Sequence, residues 1–199
     1  MRLPNDVIED LNSVQLAGLA MTMVELIAPY GVIASDVVEP ALFRSLSERI
    51  VSAGAARDAT EIERVCGDII EQLVDDEPDG AGFYAFGAVV SVYYACSAIR
   101  AVPDGGLNAA KRFCDLTGAA DDDGVGGLFD LAVDFLARRR DDVRDEIAAR
   151  IAEHALALSN AELPICAPLR PWRGDQSVSR SARMTGRSWA SERRRTTSA

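Results

Sequence analysis

The chain has 199 residues, of which 48% are hydrophobic and 6% aromatic, a length and apolar content suited to one domain with an aliphatic core. Its charge is uneven: residues 1–162 hold 29 acidic and 13 basic side chains, a net charge of −16, whereas residues 163–199 have a net charge of +6. A domain this negative repels nucleic acid and anionic membranes, which excludes both as partners of residues 1–162 and favours a basic protein. We therefore predict an acidic domain over 1–162 and an Arg- and Ser-rich basic tail over 163–199.

The first two predicted helices span about residues 5–28 and 37–53, and Gly54 is expected to end the second. Each begins at side chains that can accept hydrogen bonds from the free backbone N–H groups of a first helical turn. These cap residues are Asn5 or Asp6 for the first helix, and Asp36 with Glu39 for the second.

The third and fourth predicted helices have different patterns. From about 58 to 74, apolar residues recur at intervals of three and four, which a strand of period two cannot place on one face. The fourth helix, about 82–101, has no charge between Ala81 and Ile99. That stretch is long enough to span a membrane, but it is rich in small residues and has acidic flanks, so we predict the buried centre of a bundle. The small residues that should let a neighbouring helix approach it are Gly87, Ser91 and Ala95.

A fifth helix is predicted over about 107–119, followed by a solvated loop over 121–127. The last helical stretch runs from about 128 to 158, and the charged run at 138–142 crosses its apolar stripe and indicates a break into two helices. From about 165 onward the apolar periodicity ends, which predicts a disordered tail. The predicted fold is therefore all-α, with six or seven helices packed around the fourth.

The cysteines indicate a reducing compartment. Cys66, Cys96 and Cys114 lie on predicted apolar helix faces, and no Cys-x-x-Cys pair occurs. The first residues lead into an acidic helix without a signal-peptide pattern. We therefore expect a cytoplasmic protein whose core cysteines are reduced.

The sequence predicts no catalytic residue and no cofactor. His154 is the only histidine, and no nucleophile motif such as Gly-x-Ser-x-Gly accompanies it, so we interpret it as an ordinary residue on the surface of the last helix. Two pairs of acids four residues apart can share a helix face and hold Mg²⁺ or Mn²⁺ through oxygen ligands. These candidate metal ligands are Glu71, Asp75, Asp130 and Asp134.

The order of three segments along the chain resembles that of a known family. An acidic turn at 75–79 precedes the small-residue helix containing 83–96, and the Ala-rich segment 109–115 then leads into Asp121. In this order, over about residues 40–158, the chain resembles the YjaG-like family of bacterial domains of unknown function and related all-helical immunity-type proteins. The resemblance implies a compact helical bundle with a binding role, and it supplies no catalytic residue.

Charge, motifs and resemblance together predict a non-catalytic protein-binding domain, in particular an immunity-type inhibitor of a basic toxin. Two alternatives stay open: a metal-dependent all-helical phosphohydrolase, and a structural or regulatory homodimer formed through an exposed apolar face.

Overall fold

The charge-free segment forms one helix of an all-α structure. A computed structural model of the chain describes residues 8, 10–73 and 78–162. Its helices are α1 Ser13–Ile27, α2 Pro40–Ala56, α3 Thr60–Leu73, α4 Ala81–Ile99, α5 Gly105–Asp122, α6 Leu128–Arg138 and α7 Asp141–Glu162, with a 3-10 turn, Tyr30–Val32, after α1. The described residues contain no strand.

Helix α4 is the centre of the bundle. Of its 19 residues 15 are buried, and α1, α2, α3, α5, α7 and the 3-10 turn all pack against it. Its length and composition are sufficient for a membrane span, yet 78% of its apolar 18-residue window is buried inside the protein. A helix that is apolar on all sides is expected in the core of a soluble bundle. The prediction of an all-α bundle around this helix is confirmed.

Helices α4 and α5 approach each other closely at two glycines. A Cβ atom on Gly87 would lie 2.5 Å from the side chain of Leu116, so the predicted close approach at this position is confirmed. A Cβ atom on Gly105 would lie 2.7 Å from backbone atoms of Ser97 and Ala98. The sequence predicts a start of the fifth helix at about residue 107, but the helix begins at Gly105, directly after Asp104 in a left-handed conformation at φ 62°. Glycine is needed at this start because only a residue without a side chain fits against the end of α4.

The first predicted helix is interrupted near its start. Ile8 is helical, as predicted, but residues 10–12 are not, so the continuous range 5–28 is wrong and α1 begins at Ser13. Asn12 Oδ1 accepts hydrogen bonds of 3.0 Å from the backbone N–H groups two and three residues on, and the glutamine three residues on accepts from the Asn12 N–H. This reciprocal capping box sets the helix start. The predicted caps Asn5 and Asp6 lie outside the described residues.

Helix α2 also differs at both ends. Glu39, rather than Asp36, caps it, because the Glu39 carboxylate accepts hydrogen bonds of 3.2 and 2.9 Å from two backbone N–H groups of the first turn. Gly54 does not end the helix, which continues until Arg57 adopts a left-handed conformation at φ 55°. Gly54 instead makes room for α1, since a Cβ atom there would lie 2.5 Å from the Met21 sulfur.

The predicted break in the last helical stretch is confirmed. Helix α6 ends at Arg138, Arg139 adopts a left-handed conformation at φ 52°, and α7 begins at Asp141. The apolar stripe resumes on α7, where Val143 and Ile147 are buried. The predicted disorder of the basic tail concerns residues outside the described part of the chain.

Three cysteines occupy the core, as predicted. Cys66, Cys96 and Cys114 are buried and free. Burial raises the pKa of the Cys66 and Cys114 thiols to about 12, and it raises the pKa of Cys96 as well. All three therefore stay protonated at neutral pH and act as small apolar side chains rather than nucleophiles.

We expect Gly105→Ala to lower the free energy of unfolding by about 1–3 kcal/mol, because the added methyl group meets backbone atoms that cannot rotate away. Gly18→Ala is the matched control, since Gly18 lies inside α1 and a Cβ atom there would have no atom within 4 Å. This control should raise stability by about 0.5–1 kcal/mol through helix propensity. Urea denaturation measures both values, and effects of the same sign and size would contradict the close approach of α4 and α5.

Candidate functional site

His154 lies inside the protein, so its predicted position on the helix surface is wrong. The residue is 8% exposed, and its ring atom Nδ1 lies 2.9 Å from the hydroxyl oxygen of Tyr30, which is fully buried in the 3-10 turn. One signal in the sequence could have placed it: Val143, Ile147 and Ile151 form a stripe that His154 continues three residues later.

The proton positions in this pair follow from burial. Burial, followed by the negative charge of Asp123, raises the pKa of Tyr30 far above its usual range, so its hydroxyl keeps its proton. Burial lowers the pKa of His154, although Asp123 opposes this shift, so the imidazole is uncharged at neutral pH. We assign the Tyr30 hydroxyl as donor to Nδ1, which places the ring proton on Nε2.

Asp123 lies on the other side of the histidine ring. Its Oδ2 accepts a 2.6 Å hydrogen bond from the Tyr84 hydroxyl. The same oxygen is 3.7 Å from His154 Nε2, which is beyond hydrogen-bond distance. Burial and the hydrogen bond to Asp123 raise the pKa of Tyr84. The Asp123 side chain is 50% exposed, so the carboxylate faces both the buried tyrosine and solvent.

Four elements contribute to this tyrosine–histidine–aspartate cluster, which consists of Tyr30, Tyr84, Asp123 and His154. They are the 3-10 turn, α4, the C-terminal end of α5 and α7. The two tyrosine rings lie 4.7 Å apart between centroids, and the imidazole meets each of them edge-on, at 5.8 and 5.0 Å. Because aromatic packing and hydrogen bonds act together, the cluster holds the histidine ring in one orientation.

The prediction of a solvated loop for the acidic run at 121–123 is wrong for Asp121 and Asp122, which lie in α5, whereas Asp123 follows the helix in an exposed turn. Asp121 lies in α5, and its carboxylate accepts hydrogen bonds of 2.7 and 3.0 Å from the backbone N–H groups of Leu128 and Phe129. It therefore caps α6 across the intervening turn. Asp123 belongs to the cluster, and Asp122 is the exposed last residue of α5.

An open cleft of about 650 Å³ adjoins the cluster. We call it the acidic cleft. Its charged lining residues are Asp123, Glu153, Arg150 and, when protonated, His154. Arg150 donates hydrogen bonds to the Gly126 carbonyl oxygen at 2.7 Å and to Glu146 at 2.6 Å. The positive charge of the cleft is thus already paired, whereas the Glu153 carboxylate is exposed.

The predicted metal ligands are only partly described. Glu71 is exposed on α3, Asp130 is exposed on α6, and Asp134 forms a 2.9 Å ion pair with Arg138. Asp75 lies outside the described residues. Within the described ranges, no three or more His, Cys, Asp or Glu side chains are placed to hold a metal ion. The metal site stays a prediction.

We expect Asp121→Ala to lower the free energy of unfolding by about 0.5–2 kcal/mol, because two backbone N–H groups of α6 lose their acceptor. Asp121→Asn should recover most of that loss, since the amide oxygen can still accept. Asp122→Ala, one residue away, should change stability much less. Chemical denaturation measures the series, and equal losses for the two alanine variants would contradict the capping role.

We expect stability to fall as the pH is lowered from about 7.5 to 5.5, with a slope of at most about 1.4 kcal/mol per pH unit. The unfolded chain takes up a proton near the ordinary histidine pKa of about 6.5, whereas the folded chain takes it up only at lower pH. His154 is the only histidine, so His154→Gln should flatten the dependence in this window. Thermal melts at a series of pH values test this, and an unchanged slope in the variant would contradict it.

The chain matches no family model, no curated protein and no solved structure. Its resemblance to the YjaG-like family therefore stays a prediction. The charge and geometry of the described residues are the remaining basis for a functional proposal.

Proposed function

We propose that the folded part of this chain is a non-catalytic binding domain for a basic protein, as an immunity-type inhibitor of a basic toxin would be. The observation that carries this proposal is the net charge of −16 over residues 1–162. A surface with this charge attracts a cationic partner over long distances and accelerates association, and salt weakens the effect.

The ion pairs of the structure leave this net charge unchanged, because each pair neutralises one arginine and one acid. The acids that are left over therefore carry the negative charge of the surface. The arginines that form ion pairs include Arg64, Arg100, Arg138, Arg140, Arg144 and Arg150. Acids such as Glu25, Glu48 and Asp115 are exposed and available to a partner.

The described side chains favour binding over catalysis. The three buried cysteines are protonated at neutral pH because burial raises the pKa of each thiol. Within the described residues, no serine, threonine or cysteine hydrogen-bonds to His154, whose Nδ1 is occupied by Tyr30. An activated nucleophile needs an adjacent base with a free acceptor atom, and this histidine does not supply one.

We also place the protein in the cytoplasm. The free state of its three described cysteines fits a reducing compartment, and the burial of α4 fits a soluble protein.

The phosphohydrolase and the homodimer stay as alternatives. Exposed large apolar residues such as Val14, Val51 and Leu156 occur on several helices, and scattered residues of this kind are common on monomers.

The test of the proposed function is co-expression of the full chain with the protein encoded next to it, followed by kinetic binding measurements. We expect a complex whose association rate falls at least tenfold between about 50 and about 500 mM salt, because screening shortens the reach of the charges. We also expect the complex to suppress the partner's activity.

A charge-reduced variant tests whether the surface charge causes the fast association. Glu25→Gln combined with Glu48→Gln removes two exposed charges without changing the core. This variant should slow association while leaving the melting temperature nearly unchanged. Failure to bind any basic partner, or binding that is indifferent to salt, would contradict the proposed function.

A further inference from the structure

The contact between Tyr30 and His154 exists only while the imidazole is neutral. Tyr30 is 0% exposed, and within the described residues the hydrogen-bond partner of its hydroxyl is His154 Nδ1, at 2.9 Å. The hydroxyl donates to Nδ1, so this nitrogen must keep its lone pair. A buried hydroxyl that loses its acceptor costs free energy, which ties the packing of Tyr30 to the protonation state of the histidine.

Protonation of His154 reverses the direction of this hydrogen bond. The added proton goes to Nδ1, and both ring nitrogens then become donors. The Tyr30 oxygen can only accept from the imidazolium, and its own proton is left in the core without an acceptor. The ring also carries its positive charge at a position that is 8% exposed, where burial opposes the charged form. The charged histidine therefore disfavours the packed arrangement on two grounds.

One carboxylate faces the ring and favours the charged form. Asp123 Oδ2 is 3.7 Å from His154 Nε2, but the same oxygen already accepts the 2.6 Å hydrogen bond from Tyr84. The Asp123 side chain is also 50% exposed, so water screens its charge. Burial accordingly has a larger effect on the pKa of His154 than Asp123 has, and the pKa is lowered.

The other charged groups near the ring are exposed or paired. Glu153, on the same helix, and Asp122, at the end of α5, are exposed to solvent. Arg150, one turn earlier in α7, forms an ion pair with Glu146. The groups that face the ring from the 3-10 turn and from α4 are the two tyrosines of the cluster. Burial raises the pKa of both, so they are uncharged at neutral pH.

The histidine lies where the firmly packed part of α7 ends. The buried positions of this helix are Val143, Ile147, Ile151, His154 and Ala155. Beyond them, from residue 156 to residue 161, the side chains are exposed or half-buried. A segment with so few buried contacts can open locally at a lower free energy than the whole domain. The contact with Tyr30 is therefore a large part of what holds the end of α7.

We propose that the hydrogen bond between Tyr30 and His154 is an acid-sensitive latch that holds the last turns of α7, residues 154–161, against the bundle. When the imidazole takes up a proton from solvent, its side chain leaves Tyr30 for the adjoining open cleft, where water receives both ring N–H groups. The end of α7 then separates from the 3-10 turn. The latch belongs to the free chain and does not depend on the proposed partner.

Amide hydrogen exchange of the full chain tests the latch. Exchange at pH 7.5 and 5.5 is compared after correction for the intrinsic pH dependence of the reaction. The released histidine titrates near the ordinary pKa of about 6.5, and the latched histidine titrates lower, so linkage limits the gain in opening to about tenfold. We expect residues 154–161 to lose protection about five- to tenfold at pH 5.5, and to exchange faster than α4 at both pH values.

Three variants assign the effect to the two side chains. His154→Gln stays uncharged and can still accept from Tyr30, so exchange at the end of α7 should no longer depend on pH. In Tyr30→Phe, protonation of Nδ1 breaks no hydrogen bond, so the pKa of His154 should rise toward about 6.5. Tyr94→Phe removes a tyrosine hydroxyl of α4 outside the cluster and should leave this pKa unchanged. The single histidine gives one Hε1 signal, so NMR titration of an untagged chain measures the pKa directly.

Several results would overturn the latch. A pKa at or above about 6.5 in the parent chain would mean that Asp123 outweighs burial. Equal pKa values in the parent chain and in Tyr30→Phe would mean that the hydroxyl does not oppose protonation. Exchange at the end of α7 that is as slow as that of α4 would mean that the histidine is released by global unfolding alone, and corrected exchange that is equal at both pH values would mean that opening does not release it.

Discussion

Helix α4 is stable only when its whole surface is removed from water, because it carries no charge along 19 residues and no side of it is polar enough to face solvent. The bundle satisfies this requirement by packing five helices and a 3-10 turn around it. Tight packing in turn requires small residues such as Gly87 at the closest contacts. The same packing holds Tyr84, a buried residue of α4, where its hydroxyl donates a hydrogen bond to Asp123.

Apolar periodicity is sufficient to predict the helical class, the buried position of α4 and the break between α6 and α7. Apolar periodicity does not predict the helix ends, because these depend on which nearby side chain accepts hydrogen bonds from the first free backbone N–H groups of the helix. Asn12 caps α1, and Glu39 rather than Asp36 caps α2. Gly54 is misleading for another reason: a glycine that usually ends a helix serves here to admit a neighbouring helix.

The candidate site is harder to predict from the sequence. Local pattern wrongly places His154 on a helix surface. It places Asp123 in a solvated loop, where an exposed turn is found, but it gives no sign of the contact between Asp123 and Tyr84. The stripe that runs along α7 to residue 154 contains the signal for burial of the histidine. Nothing in local sequence can pair His154 with Tyr30, which is 124 residues away, because that pairing arises only when α7 packs beside the 3-10 turn.

The excess of acids on the folded part has a thermodynamic consequence of its own. Like charges close together on one small surface repel one another. Added electrolyte screens this repulsion and should therefore raise the stability of the native state. The same electrolyte weakens the attraction of a cationic partner. Conditions that stabilise the free protein are therefore those that disfavour the proposed complex with a basic protein, in which a bound polycation would relieve the repulsion that electrolyte otherwise screens. Binding of a basic partner and stability of the native state would thus be thermodynamically linked, and the link would be strongest at low ionic strength.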